Sequence, residues 1–273
     1  MSVSKPPSDR TDRKRGAVTL VGAGPGDPEL LTLAAVRALQ EADVILFDAL
    51  VAPEILDFAR REARTMLVGK TGHSPSCRQE DISALMVKLA RSGKRVVRLK
   101  GGDPMIFGRA GEEIAACRAA GLPVDVVPGI TAAQGAAARL GASLTHRDAA
   151  RRVQYVTGHD RRGDLPDMNW PSLADPEATT VVYMPVRTLE KLAAQVIAAG
   201  LDPATPAVAV ARATRPDEEV IAATIGELPA IVAARAPRGP VLVMIGRTLA
   251  DVAASDAQAG TERTGLRDRR RRA

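Results

Sequence analysis

From Ala17 to Leu140, short apolar runs alternate with segments of helical period, and this alternation is the strongest constraint on what the chain can become. Val18–Val21, Val44–Phe47, Met66–Val68, Val96–Leu99 and Val124–Val127 read as strands, each bounded by turn residues or charge. Between them the spacing predicts helices over Glu29–Gln40, Pro53–Arg60, Gln79–Ser92, Gly111–Ala120 and Thr131–Leu140. In the third helix Ile82, Leu85, Met86 and Leu89 share a face, and Gly93 supplies the stop. Strands joined one after another by helices lie side by side in the same direction. The expected fold is therefore α/β, with a mostly parallel, doubly wound sheet.

A second block opens near Arg151. Its expected strands are Val153–Thr157, Thr180–Met184, Ala207–Ala211, Val220–Ala223 and Val241–Ile245. Its clearest helix is Leu189–Ala199, where Leu192, Val196 and Ala199 line one face before Gly200. The polar stretch Asp160–Asp175 reads as a long loop. A boundary within 141–152 divides the chain into an N-terminal α/β domain at 17–145 and a C-terminal one at 146–255. The basic tails at 1–16 and 256–273 are expected to be disordered.

Charge and composition exclude several functions. The formal net charge is +6, but residues 1–16 hold five Lys/Arg against two Asp, and residues 260–273 hold six Arg against two acids. The tails thus carry +7 and the remaining body −1, so no basic groove for nucleic acid is expected. The six aromatic residues, Phe47, Phe58, Phe107, Tyr155, Trp170 and Tyr183, are too few for a base-stacking platform. The uncharged stretch Val126–Ala138 is broken by Pro128, Gly129 and Gly135 and is too short to span a bilayer. Cys77 and Cys117 are far apart and share no His-rich neighbourhood, which argues for reduced thiols and against a zinc site. With no apolar leader segment at the polar N-terminus, the expected location is cytoplasmic.

The chemistry-bearing motifs sit at strand ends, where α/β sheets bind ligands. Val21-Gly22-Ala23-Gly24-Pro25-Gly26-Asp27-Pro28 follows the first strand, and its glycines permit either close ligand approach or a tight turn. A dinucleotide loop with Asp43 or Asp48 as its ribose acid is a rival reading. The G-x-G-x-G spacing departs from it, and Pro25 removes an N–H. The second Gly-rich loop runs from Lys100 to Glu113. In it Asp103 is placed either to bind an ammonium or hydroxyl or to cap the turn before Pro104. Val127-Pro128-Gly129-Ile130-Thr131 ends a strand and offers Thr131 as an N-cap. Leu144-Thr145-His146-Arg147 and Thr157-Gly158-His159 each carry a lone His, a residue more often structural than catalytic.

Taken in order, these motifs resemble the tetrapyrrole methylase family. The resemblance runs from about Ala17 to Gly246 and rests on VGAGPGDPELLTL at Val21–Leu33, VGK at Val68–Lys70 and RVVRLKGGDP at Arg95–Pro104. VPGIT at Val127–Thr131, LTHR at Leu144–Arg147 and TGH at Thr157–His159 complete it. It implies two α/β domains with S-adenosylmethionine in a cleft between them, a homodimer, and no metal. The implied reaction methylates two carbons of uroporphyrinogen III to give precorrin-2, on the route to cobalamin or sirohaem. The implied cofactor contacts are Pro25, Gly101, Gly102, Asp103, Ile106, Thr131, Ala132, Met184 and Ala213. Asp48 and Lys70 fall where the family is assigned its acid–base pair.

A body of net charge −1 cannot attract a polyanionic tetrapyrrole globally, so local arginines must do so. Arg109 and Arg147 lie in family motifs and suit carboxylates, which guanidinium pairs bidentately. Glu112, three residues beyond Arg109 at a helix start, is placed to orient it. The chain departs from the family at Ala49 and Thr71, where arginines are usual, and at Ala110, where the family reads glycine. Rival readings are methylation of a later corrin precursor or of a diphthine precursor, an NAD-binding oxidoreductase, and a tail-driven RNA-binding module. No segment resembles the dehydrogenase–chelatase domain fused to some family members, so a single activity is expected.

Overall fold

The computed structural model describes residues 16–68 and 78–253. All ten apolar runs form strands there: β1 (Ala17–Gly22), β2 (Val44–Phe47), β3 (Arg64–Leu67), β4 (Arg95–Lys100), β5 (Val124–Val127), β6 (Arg152–Thr157), β7 (Ala178–Tyr183), β8 (Pro206–Ala211), β9 (Glu219–Thr224) and β10 (Val241–Ile245). The α-helices are α1 (Leu33–Glu41), α2 (Gln79–Arg91), α3 (Ala110–Ala119), α4 (Ala132–Leu140), α5 (Trp170–Leu173), α6 (Leu189–Ala198) and α7 (Leu228–Arg235). None is long and apolar enough to cross a membrane.

The first sheet is wholly parallel, in the order β3-β2-β4-β1-β5. Both faces of its three inner strands are covered, as those apolar strands require, while the edge strands β3 and β5 are largely exposed. Val18, Leu20, Val44, Leu46 and Val96 pack under α2 and α3. Val21, Ile45, Val97 and Leu99 pack against α1 and Ile55. The second sheet runs β6-β7-β10-β8-β9 and is mixed: only β6 and β7 are parallel. One face carries Val182, Ala209 and Val243 beneath α6 and α7. The other carries Val181, Val208, Val210 and Met244 beneath α4.

Several expectations are corrected. The chain divides between Ile130 and Thr131, earlier than the boundary at 145/146. The cause is α4, whose Ala133 and Ala136 are buried on the second sheet, so the helix belongs to the second unit. The helix expected from Glu29 is broken at Thr32, which is extended (φ −73°, ψ 149°) and accepts the Ala35 N–H at 3.1 Å as an N-cap. Pro28–Leu30 upstream is a separate 3-10 turn capped by Asp27, and Pro53–Phe58 is likewise 3-10. The loop expected at Asp160–Asp175 contains α5, and α7 had no counterpart in the sequence reading. Gly16, assigned to the N-terminal tail, is buried where a Cβ would meet the Ala90 carbonyl at 1.8 Å. The rest of that tail, the C-terminal tail from 256 to 273, Lys70, Thr71 and Cys77 lie outside the described residues. Cys117 is buried as a free thiol.

Candidate active site

Parallel register brings four strand ends to one edge of the first unit. Gly22 pairs with Lys100, Phe47 with Leu99 and Val21 with Val127. The loops that begin at Ala23, Asp48, Gly101 and Pro128 therefore leave the sheet on the same side, the side where such sheets bind ligands.

Backbone contact locks these loops together. Gly24 and Gly102 form a bridge, with Gly102 N–H to Gly24 O at 2.7 Å and Gly24 N–H to Gly102 O at 3.2 Å. Gly102 sits at φ +68°, which glycine alone adopts freely. The Asp103 carboxylate ties two loops: Oδ1 accepts the Met105 N–H at 2.7 Å and Oδ2 the Gly129 N–H at 2.9 Å. The capping alternative for Asp103 thus describes its present bonds. Each oxygen keeps a further lone pair for a ligand. Pro25 and Ile106 are half-buried in the same loops, and Leu50 lies over Gly101, where a Cβ would meet its own at 2.8 Å. Leu50, Met105 and Phe107 are exposed apolar side chains of these loops.

Asp48 follows β2. Its Oδ1 accepts the Leu50 N–H at 3.0 Å, and its Oδ2 lies 3.6 Å from Arg98 Nη2. Arg109 and Glu112 form the expected pair in bidentate form, Nε to Oε1 at 2.8 Å and Nη2 to Oε2 at 2.7 Å. That bonding holds the Arg109 guanidinium above its ordinary pKa despite the opposing effect of burial. Asp43, the other ribose-acid candidate, precedes β2 at the opposite end from these loops. Burial pushes its carboxyl up, but the Arg95 N–H and the charges of Arg95 and Arg60 outweigh it and hold the group below the usual range. Asp43 is thus committed to structure.

In the second unit the named residues also gather at loop and helix starts. Thr131 caps α4, its Oγ1 accepting the Ala133 N–H at 3.1 Å and lying 2.6 Å from the Tyr183 hydroxyl. Tyr183 meets Tyr155 edge to face with centroids 5.9 Å apart, and burial pushes the Tyr155 phenol up against a Thr131 hydrogen bond that lowers it. Ala132, Tyr183 and the buried Ala213 share one apolar cluster. Met184 follows Tyr183, is 44% exposed, and lies 3.2 Å from His159 Nδ1 through its carbonyl. His146 takes a structural role, accepting the Asp148 N–H at 3.2 Å, and Arg147 beside it is exposed.

One feature had no sequence signal. Five non-glycine residues in post-strand loops sit at positive φ: Phe107 (51°) and Arg109 (56°), Met184 (57°), and Arg212 (50°) and Thr214 (66°) around Ala213. Such conformations are rare, above all for β-branched Thr, and they cluster at ligand sites because the surroundings must hold them. Arg212 does so for its loop, donating to the Arg238 carbonyl at 2.8 Å and from Nη2 to the Asp217 carbonyl at 2.7 Å. Arg98, Lys100 and Glu113 carried no signal of a role either: Arg98 lies inside an apolar run, and Lys100 and Glu113 bound a Gly-rich loop, positions that do not reveal burial.

Comparison with known proteins adds context. The model for Tetrapyrrole (Corrin/Porphyrin) Methylases matches residues 17–229. The siroheme synthase of Gluconacetobacter diazotrophicus is 50% identical over 234 residues, 86% of this chain and 50% of that protein. That of Nitrosospira multiformis is 51% identical over 235 residues, again 86% and 50%. A crystal structure of uroporphyrin-III C-methyl transferase from Thermus thermophilus complexed with S-adenyl homocysteine has a TM-score of 0.73 and 40% identity, covering 86% of this chain and 99% of that one. A cobalt precorrin-4 methyltransferase superposes with a TM-score of 0.76 at 29% identity, covering 85% and 95%. The chain spans about half the length of the curated relatives it matches.

Proposed function

We propose, from the premise that this chain belongs to the tetrapyrrole methylase family, that it transfers methyl groups from S-adenosylmethionine to two ring carbons of uroporphyrinogen III and yields precorrin-2. The observation that carries this reading is the likeness, over most of both chains, to the Thermus thermophilus enzyme solved with S-adenyl homocysteine. The chain acts on this reading as a cytoplasmic homodimer with a small-molecule substrate, without nucleic acid or membrane.

The residues present fit such a cofactor. Met184 turns its backbone at φ +57° beside an exposed side chain, Ala213 lies between two left-handed residues, and Asp103 keeps lone pairs for an ammonium or hydroxyl. Pro25, Gly101, Gly102, Asp103, Ile106, Thr131, Ala132, Met184 and Ala213 are the proposed holders. S-adenosylmethionine supplies a methyl group on a positively charged sulfur, activated for transfer to an electron-rich carbon. The protein's task is alignment, which can supply about 7–11 kcal/mol of the barrier. After each new C–C bond forms, the ring is cationic and must lose a proton to restore its conjugation. Asp48 accepts that proton in this reading, with Lys70 as its partner. Arg109, oriented by Glu112, and Arg147 hold substrate carboxylates.

Incubation with uroporphyrinogen III and methyl-labelled S-adenosylmethionine tests the reading, and two labelled methyls per product are expected. No transfer, together with calorimetric binding of NAD and none of S-adenosylhomocysteine, would return the chain to the oxidoreductase reading. Arg147→Ala is expected to raise KM for the tetrapyrrole about 10- to 150-fold with kcat unchanged, since a charge-assisted contact is worth roughly 1.5–3 kcal/mol. It should also flatten the salt dependence of kcat/KM. Wild-type kinetics in this variant would place Arg147 in solvent with no substrate contact.

A further inference from the structure

Behind the strand-end edge of the first unit, four charged side chains and one amide meet between the sheet and its helices. Arg98 and Lys100 alternate on β4 with Val97 and Leu99, so both face the α2–α3 side with Val96. β4 lies between β1 and β2, so neither side chain reaches water at a sheet edge. Arg98 is 3% exposed and Glu113, on α3, is fully buried. Glu113 Oε1 accepts Arg98 Nε at 2.9 Å and Gln79 Nε2 at 2.9 Å, and Oε2 lies 3.0 Å from Lys100 Nζ. Arg98 Nη1 donates to the carbonyls of Leu46 at 3.3 Å and Leu99 at 3.0 Å. Only Nη2 is left to face Asp48, at 3.6 Å.

Two buried cations thus face one buried carboxylate, Glu113, and one half-buried carboxylate, Asp48. Burial and the Arg98 charge push the Lys100 ammonium down, against Glu113 and Asp48, which raise it. Buried ionic networks seldom stabilise a fold more than apolar residues of the same volume. Their better use is to fix a geometry. Here the fixed object is the Arg98 guanidinium, whose plane is set by Glu113 at one edge and two carbonyls at another. The Asp48 carboxylate is then held by Arg98 at one oxygen and by the Leu50 N–H at the other. Successive residues of a helix point about 100° apart, so α3 serves both groups: Glu112 turns out to Arg109, and Glu113 turns in to Arg98.

We infer that Glu113 is a positioning residue which, through Arg98, holds the Asp48 carboxylate at the place where it accepts the ring proton. The inference rests on the reading of Asp48 as that acceptor. Misplacement of a reacting group by about 1 Å costs on the order of a hundredfold. Glu113→Gln is therefore expected to lower kcat about ten- to a hundredfold, with KM for both substrates within about threefold of wild type.

The test is a double-mutant cycle on single-turnover methyl transfer, with Glu113→Gln in the wild-type and Asp48→Asn backgrounds. If Glu113 acts through Asp48, its loss lowers the rate in the first background and adds little in the second. An equal loss in both backgrounds, or a normal rate with only a lowered melting temperature, overturns the inference and leaves the reading of Asp48 intact. A normal rate in Asp48→Asn alone overturns both. Should Glu113→Gln not fold, Glu113→Gln/Lys100→Gln removes one charge of each sign and is run through the same cycle with the same criteria.

Discussion

Gly129→Val is expected to abolish folding of the chain. A Cβ at Gly129 would lie 2.3 Å from the Gly102 oxygen and 2.8 Å from the Gly22 Cα, and one at Gly22 would lie 2.5 Å from the Gly129 nitrogen. Every atom met is backbone, so no side chain can swing aside. The loops after β1, β4 and β5 would have to part, and with them the Gly24–Gly102 bridge and the Asp103 latch. A disruption of this kind costs more than about 4–5 kcal/mol, against a typical total stability of about 5–15 kcal/mol. Gly111→Ala is the matched control. It lies within α3 with nothing within 4 Å of the added carbon, and should stabilise by about 0.5–1 kcal/mol. Denaturant midpoints decide both. A Gly129→Val variant melting like wild type would mean that the three loops are not packed backbone to backbone.

Asp48→Asn is expected to lower kcat by about 10²- to 10⁴-fold, the usual share of a general base, while KM changes little. The amide has the carboxylate's shape, and its oxygen can still accept the Leu50 N–H, so the turn after β2 should survive. What it loses is proton affinity and the ionic half of its contact with Arg98. If Asp48 served only as a cap, the variant would keep its kcat and lose thermal stability instead. Steady-state kinetics with melting curves separate these cases. A normal kcat would remove Asp48 from the mechanism and turn attention to Arg109 and Glu112.

Much of this was legible in the chain because strands and strand ends are local. Val44–Phe47 is an uninterrupted apolar run, and it became β2 with the same bounds. The motifs at Val21, Lys100 and Val127 were readable as strand-end loops because each follows such a run. The Arg109–Glu112 pair needed only helical spacing. Long-range pairing was not legible. Nothing in Ala207–Ala211 or Val241–Ile245 says that they run antiparallel, or that β10 separates β7 from β8. The division of the chain was misplaced because α4 follows the first sheet in sequence but buries Ala133 and Ala136 on the second. Arg98 and Lys100 gave no sign of their burial, because the sequence does not show that β4 is a central strand roofed by helices.

The strand order of the first sheet also dictates how the unit can be assembled as the chain is synthesised. β1 emerges first, yet its two neighbours are β4 and β5, and the only pair available among the first three strands is β2 with β3. Until residues 95–100 have left the ribosome, β1 has no partner on either edge. Its apolar Val18, Leu20 and Val21 then have α1 and α2 to pack against but no neighbouring strand to pair with. This interior strand is thus held in waiting for about eighty residues of further synthesis, the kind of non-local closure that slows folding and leaves apolar segments open to aggregation. Completion of β4 is the event that turns a loose N-terminal segment into a sheet, and it also delivers the Gly101–Asp103 loop to the site.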